Sequence, residues 1–200
     1  MSEDAAPTSG DLAAPVTRLA AANRLRERLR DLAGLTPLAD SAAEFFYEFF
    51  DADASAITLM RGGWFRTLVT VGDATPGQIR HPDGQTYPVD TYPTVAQRLE
   101  GGSGYVSSIG NDGGIPESQL FLVDYKKVTC VGAPITYGGE TVGEAFVSRA
   151  SGRPHYTGHE LALALDLARQ LGLRIGPGVK AQDQVNAGWW PSAVPSSDRS

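Results

Sequence analysis

Apolar residues recur at helical spacing in two neighbouring segments near the start of the chain. In the first, over residues 16–32, they fall at steps of three and four, and Gly34 is expected to end the helix. In the second, Thr36-Pro37 supplies a polar cap and a proline suited to the first turn, and the helix is expected to reach about Asp51. Aromatic residues between 45 and 50 cover most of its circumference, so we expect this second helix to be buried.

A capping box marks the start of the last helix. The hydroxyl of Thr157 and the carboxylate of Glu160, three residues later, are suited to bind exposed backbone amides of the first turn. Apolar residues from Leu161 to Ile175 follow, and they form a face wider than contact with one sheet requires. The Gly176-Pro177-Gly178 sequence is expected to end this helix.

Two β-hairpins are indicated between these helices. The first joins residues 54–60 to residues 64–71 through a glycine turn, and the second joins 128–135 to 141–149 through a turn at Gly138-Gly139. Shorter elements complete the prediction: helices over 93–100 and 117–125, a strand over 105–109, and loops over 72–86 and 110–116. Hairpins interspersed with helices indicate an α+β fold with an antiparallel sheet.

Composition divides the chain into three parts. Residues 1–14 are small and polar and are expected to be a disordered lead-in, residues 15–175 form a single domain, and residues 176–200 form a flexible tail. A chain of 200 residues with 42% hydrophobic residues can bury a core without a disulfide or a metal. Trp189 and Trp190 interrupt the polar tail as an anchor pair, either folded back on the protein or presented to a partner protein.

The charge balance narrows the classes of partner. Against 17 basic residues stand 23 acidic ones, and the net charge of −6 argues against nonspecific nucleic-acid binding. No apolar stretch is long enough to span a membrane, and the first residues do not resemble a secretory signal. The expected location is therefore the cytoplasm.

Three motifs point to a known family. Residues 133–145 combine a Pro-Ile pair, a glycine turn and a Val-Gly step, while Tyr156-Thr157 with Glu160 begins the last helix. Residues 87–94 carry two Tyr-Pro pairs, a form typical of actinobacterial signalling proteins. Together with the order of elements, these motifs resemble a GAF domain over about residues 37–175.

The resemblance implies an antiparallel sheet with helices packed on one face and a loop-covered ligand pocket on the other. Members of the family sense cyclic nucleotides, tetrapyrroles, haem, amino acids or gases, so the resemblance implies a small-molecule ligand without identifying it or any cofactor. The residues that the resemblance places around the pocket are Trp64, Tyr92, Thr94, Phe121, Tyr125 and Cys130. Aromatic walls with a few polar groups suit a small planar or amphipathic ligand, and Asp124 and Arg98 either fix its charged group or lie on the surface.

Cys130 is the one cysteine, and it leaves several interpretations open. A redox sensor or an enzyme resembling the free methionine sulfoxide reductases of this family would use its thiol, but no resolving cysteine accompanies it. The histidine that usually follows the cysteine of bilin-carrying relatives is absent as well. The alternative interpretation is that Cys130 is a small apolar residue in a buried strand.

His155 and His159 are four residues apart and suggest haem or metal ligation, or two solvated side chains around a capping box. No nucleophile motif and no phosphate-binding loop occurs. The leading hypothesis is a non-enzymatic sensor or adaptor of the GAF type. It would act through a homodimer formed by its terminal helices (about 15–33 and 158–175) and through a protein partner.

Overall fold

The computed structural model describes residues 9–72, 83–110, 115–124, 126–185 and 190. These residues form helices α1 (Ser9–Leu29), α2 (Leu35–Phe49), α3 (Pro93–Glu100), α4 (Pro116–Asp124) and α5 (Gly158–Val185). The strands are β1 (Ala54–Arg61), β2 (Trp64–Gly72), β3 (Thr86–Pro88), β4 (Tyr105–Ser108), β5 (Lys127–Tyr137) and β6 (Glu140–Ala150). In this part of the chain, no helix is both long and apolar enough to cross a membrane.

The six strands form one antiparallel sheet in the order β3-β2-β1-β6-β5-β4. Both predicted hairpins are confirmed, with turns at Gly62-Gly63 and Gly138-Gly139 in the left-handed region that glycine favours. The edge strand β3 was not predicted, and it begins at the last residue of the segment expected to be a loop. It is only three residues long, and its alignment on β2 is a long-range pairing that local patterning does not report.

The sheet separates two hydrophobic cores. On one face, β1, β5 and β6 pack against α1, α2 and α5 in what we call the helical core. On the other face, α3 and α4 cover a smaller group that we call the second core. Its buried members are Met60, Phe65, Tyr92, Val95, Ala96, Leu99, Tyr105, Ile115, Leu122 and Cys130.

Strand alternation assigns neighbouring residues of β5 and β6 to different cores. The odd-numbered residues Val131, Ala133, Ile135, Ala145 and Val147 belong to the helical core. Even-numbered residues of the same strands, such as Cys130 and Phe146, contact the second core.

Helices α1 and α5 lie side by side and run in the same direction. Arg18 in the middle of α1 faces Asp166 in the first half of α5, with 3.7 Å between Nε and Oδ2. Further along both helices, Arg174 donates to the carbonyl of Leu29 at 2.7 Å. The helix α1 begins at Ser9, so the expectation of disorder is wrong for residues 9–14. That segment contains an acidic residue suited to a first turn and two alanines, which favour a helix. Residues 1–8 lie outside the described part.

The predicted end of α5 at Gly176-Pro177-Gly178 is wrong, because the helix continues to Val185. The nearby glycines serve close packing: a Cβ on Gly172 would lie 2.0 Å from the Thr136 carbonyl oxygen, and one on Gly176 would meet the Tyr137 ring. Beyond the proline, Val179 is buried in the helical core. Packing of this turn on the β5–β6 hairpin offsets the backbone hydrogen bond that the proline removes.

The prediction of a flexible tail over residues 176–200 does not hold for residues 176–185. Residues 176–185 are helical, and Trp190 is half-buried against the helical core, as expected of an anchor that folds back on the protein. Trp189 and residues 191–200 lie outside the described residues.

Candidate functional site

Three polar side chains lie next to one another on the face of the sheet that contacts the second core. Thr58 of β1 pairs directly with Thr67 of β2 on one side and with Glu144 of β6 on the other. Directly opposed residues of an antiparallel pair share a face. All three are buried, so the second core contains a polar row where apolar side chains would be ordinary.

Glu144 is the charged member of this row and is only 7% exposed. The Tyr105 hydroxyl donates a hydrogen bond of 2.8 Å to Glu144 Oε1, and no other described residue donates to this carboxyl group. Burial raises the pKa of Glu144 from the usual 4.5 to about 7, although the hydrogen bond from Tyr105 works in the opposite direction. A carboxylate has room for about four hydrogen bonds, and within the described residues Tyr105 supplies one of them.

Gly132 of β5 makes the contact between Tyr105 and Glu144 possible. Tyr105 lies directly opposite Gly132 in the β4–β5 pairing. A Cβ on Gly132 would lie 2.3 Å from Glu144 Oε1 and 2.3 Å from Tyr105 Cε1. The missing side chain therefore leaves the space in which the phenol meets the carboxyl group.

Tyr87 of β3 connects the polar row to the aromatic part of the second core. Its hydroxyl forms hydrogen bonds with the side chains of Thr67 and Thr58. Its ring stacks on Phe65 at 5.4 Å and meets Tyr92 edge-on at 6.0 Å. Burial raises the pKa values of Tyr87 and Tyr105, so both phenols keep their protons at neutral pH. We call Glu144, Tyr105, Tyr87, Thr58 and Thr67 the carboxyl cluster.

Polar contacts hold α4 over this face. The Thr94 amide at the start of α3 donates to Glu117 Oε1 at 2.9 Å, which joins α3 to α4. Gln119 Nε2 donates to Ser107 Oγ at 3.0 Å and to the Ser108 carbonyl at 2.7 Å, which joins α4 to β4. Leu122, which has no exposed surface, anchors α4 in the second core.

The structure brings together only part of the set of pocket residues predicted from the sequence. Tyr92 and Cys130 are buried in the second core, and Thr94 is half-buried in α3. Trp64 does not lie in the second core. Its neighbour Phe65 packs there, and successive side chains of a strand point to opposite faces of the sheet. Phe121 lies in α4, although its side chain is not among those described.

Three further candidates lie away from the cluster or outside the description. Tyr125 is not among the described residues. Arg98 and Asp124 are both exposed, which favours the surface interpretation over the fixing of a buried ligand group.

Cys130 occupies the interior of the sheet. It pairs with Ser107 of β4 and Ser148 of β6, and none of its surface is exposed. Burial raises the pKa of its thiol well above the ordinary value, so the nucleophilic thiolate is disfavoured. Burial of a protonated thiol therefore disfavours both redox sensing and reductase chemistry at Cys130.

The two histidines do not form a shared ligand set. His155 precedes α5 and His159 lies in its first turn, and both are exposed. Half of the predicted capping box forms: Glu160 Oε2 accepts from the Thr157 amide at 2.8 Å, whereas the Thr157 hydroxyl donates to the same Oε2 at 3.1 Å. Within the described ranges, no group of three acidic, cysteine or histidine side chains is arranged to hold a metal ion.

Sequence reasoning missed Glu144, Tyr105 and Tyr87. The signal for Glu144 was a carboxylate inside the apolar run of the last strand, two positions before Phe146. Its meaning depends on the register of β6, since a shift by one residue would turn it to the opposite face.

Comparison with known proteins supports the fold. A family model described as the GAF domain matches residues 34–175. No curated protein matches the sequence.

Solved structures with this fold include the phycoerythrobilin-bound GAF domain of a cyanobacterial phytochrome, at 14% identity and a TM-score of 0.64, covering 84% of this chain and 99% of that one. The GAF domain of a phosphoenolpyruvate-protein phosphotransferase from Coxiella burnetii is similar at 16% identity and a TM-score of 0.63, covering 84% and 98%. A GAF domain/HD domain protein from Geobacter sulfurreducens is similar at 15% identity and a TM-score of 0.58, covering 77% and 97%.

Proposed function

Because the chain belongs to the GAF domain family, we propose that it is a non-enzymatic sensory domain that binds a small molecule in the second core, beneath α3 and α4. The observation that carries this proposal is the carboxyl cluster on the inner face of the sheet. Burying a carboxyl group with a single hydrogen bond costs stability, and an apolar residue of similar size would avoid that cost. A ligand that completes the hydrogen bonds of Glu144 accounts for its retention in a core.

The ligand reaches the cluster by displacing α4. This helix is fastened by the side chains of Glu117 and Gln119 and by the buried Leu122, a small set of contacts for a covering element. A bilin like that of the phytochrome neighbour is disfavoured, because the Cys130 thiol has no exposed surface at which a chromophore could be attached.

We propose that residues 15–175, with the continuation of α5, act as one domain and signal through a homodimer. Val16 and Leu19 on α1 and Leu173 on α5 are exposed apolar side chains on the paired terminal helices. Such residues support an association surface between two copies. Binding in the second core would change the position of β5 and β6, and α5 packs against their other face.

Native mass spectrometry of the purified protein tests the ligand. We expect a retained mass that is released on denaturation, or, with an empty protein, amide NMR shifts around the second core when a small-molecule fraction of cell extract is added. A protein that carries no mass and shows no shifts around the second core contradicts the proposal.

The test of the dimer needs a substitution at an exposed position of α1. Leu25 is 0% exposed in the helical core of a single chain, so an aspartate there would unfold the protein. Leu19 is 61% exposed, and Leu19→Asp should produce a folded monomer in light scattering. A wild-type protein that is monomeric at tens of micromolar contradicts the dimer and leaves ligand binding intact.

A further inference from the structure

Among the described residues, the carboxyl group of Glu144 has one hydrogen-bond donor and no cationic partner. Across the described part of the chain, no lysine, arginine or histidine forms an ion pair with it, whereas Glu44, Glu48 and Glu160 all pair with arginines. Tyr105 supplies one neutral donor to Oε1. When ionised, this carboxyl group has further lone pairs that can accept strong hydrogen bonds from N–H donors.

The surroundings of this carboxyl group are hydroxyls and aromatic rings. Tyr87 reaches Thr58, the direct neighbour of Glu144 in the sheet, and its ring continues into contacts with Phe65 and Tyr92. Phe146, two residues after Glu144 on the same strand face, packs against the second core. Aromatic faces attract organic cations and also suit a flat apolar body.

Resting on the function proposed above, we infer that the ligand carries a cationic nitrogen with N–H donors, an ammonium or an amidinium group, on a small flat body, and that Glu144 is the residue that pairs with this group. A carboxylate-bearing ligand would place like charges together in a buried space. A neutral ligand supplies no counter-charge and would leave the buried carboxyl group protonated, whereas a cationic nitrogen favours the ionised form and pairs with it.

A matched series of probes tests the ligand class. Benzamidine, benzamide and benzoate have nearly the same shape and carry a positive, zero and negative charge. Each is titrated into the isotope-labelled full chain at neutral pH, and binding is followed by amide chemical shifts. We expect benzamidine to shift residues of the second core and to bind about tenfold or more tightly than the other two.

Variants identify the residue responsible. In Glu144→Gln the preference for benzamidine over benzamide should disappear, while Glu144→Asp should keep the preference. Glu140→Gln is the matched control, since Glu140 is an exposed residue of the same strand that pairs with Lys180 at 3.2 Å. The probe series on the wild type does not depend on any variant being folded.

Three results would overturn the inference: no benzamidine binding, equal or tighter binding of benzamide or benzoate, or an unchanged preference in folded Glu144→Gln. These results are separate from a failure of the proposed function. A neutral or anionic molecule retained in the second core would contradict the cationic ligand class, but it would agree with the proposal that the domain binds a small molecule.

Discussion

Replacing Glu144 by glutamine should change how the stability of the protein depends on pH. In the folded protein the Glu144 carboxyl keeps its proton up to about pH 7, whereas in the unfolded chain it releases the proton near 4.5. Between these values the folded state binds more protons than the unfolded state, so the contribution of Glu144 to the free energy of unfolding falls as pH rises. The contribution is fully present below about pH 4.5 and fully lost above about pH 7.

The structure gives the size of this effect. A pKa raised from 4.5 to about 7 corresponds to about 3 kcal/mol of free energy. The groups that face Glu144 do not obscure it: burial raises the pKa values of Tyr87, Tyr105 and Cys130, so all three stay neutral throughout this range. Exposed carboxyl groups titrate equally in wild type and variant, and their effects cancel in the difference.

The assay is urea unfolding of wild type and Glu144→Gln at a series of pH values from 4 to 8. The difference in unfolding free energy, wild type minus variant, should fall by about 3 kcal/mol between pH 4.5 and 7 and stay level on either side. Glu140→Gln, at an exposed position of the same strand, should show a difference that does not vary in this way. Parallel curves for wild type and Glu144→Gln would falsify the reasoning about the buried carboxyl group.

Three further predictions concern the framework. Gly172→Ala should destabilise the protein by about 1–3 kcal/mol in urea unfolding, because the new Cβ would collide with the Thr136 carbonyl. Gly178→Ala has free space around the new Cβ and should stabilise α5 by up to about 1 kcal/mol. Equal effects of the two substitutions would contradict this account of the packing. Arg149→Lys should lower the free energy of unfolding by about 2 kcal/mol or more in the same assay. A lysine cannot replace the guanidinium group, which donates to backbone carbonyls at the end of α2 and pairs with Glu160 in the first turn of α5. An unchanged urea midpoint would show that these bonds are dispensable. Fluorescence of Trp190, in a variant whose other two tryptophans are phenylalanine, should be blue-shifted and protected from quenchers; a solvent-like spectrum would show that it does not dock on the helical core.

Much of the fold was predictable because its signals are local. Residues close together in the sequence specify the two glycine turns, the start of the last helix at Thr157 and the aromatic helix α2. All of these features were identified from the sequence. The end of α5 was not, because a Gly-Pro-Gly sequence normally terminates a helix, and here Gly176 is needed for contact with Tyr137 at the end of β5. That requirement exists only in three dimensions.

The site was predictable only in outline. The resemblance indicated which face of the sheet to consider, and Tyr92 and Cys130 do lie there. Glu144 and Tyr105 are 39 residues apart in the chain and meet only because Gly132 lies between their strands. Trp64 and Phe65 are neighbours in sequence, and only the pairing of β2 shows which of them turns toward the second core.

The alternation of β5 and β6 between two cores gives a rule for how this protein can diversify. In β5 and β6, even-numbered positions such as 130, 132, 144 and 146 contact the second core, and odd-numbered positions such as 131, 133, 145 and 147 belong to the helical core. Each strand therefore meets two separate packing requirements that alternate residue by residue. A descendant that acquires a new ligand is expected to change at even positions such as 132 and 144, and to keep the odd positions that preserve its scaffold.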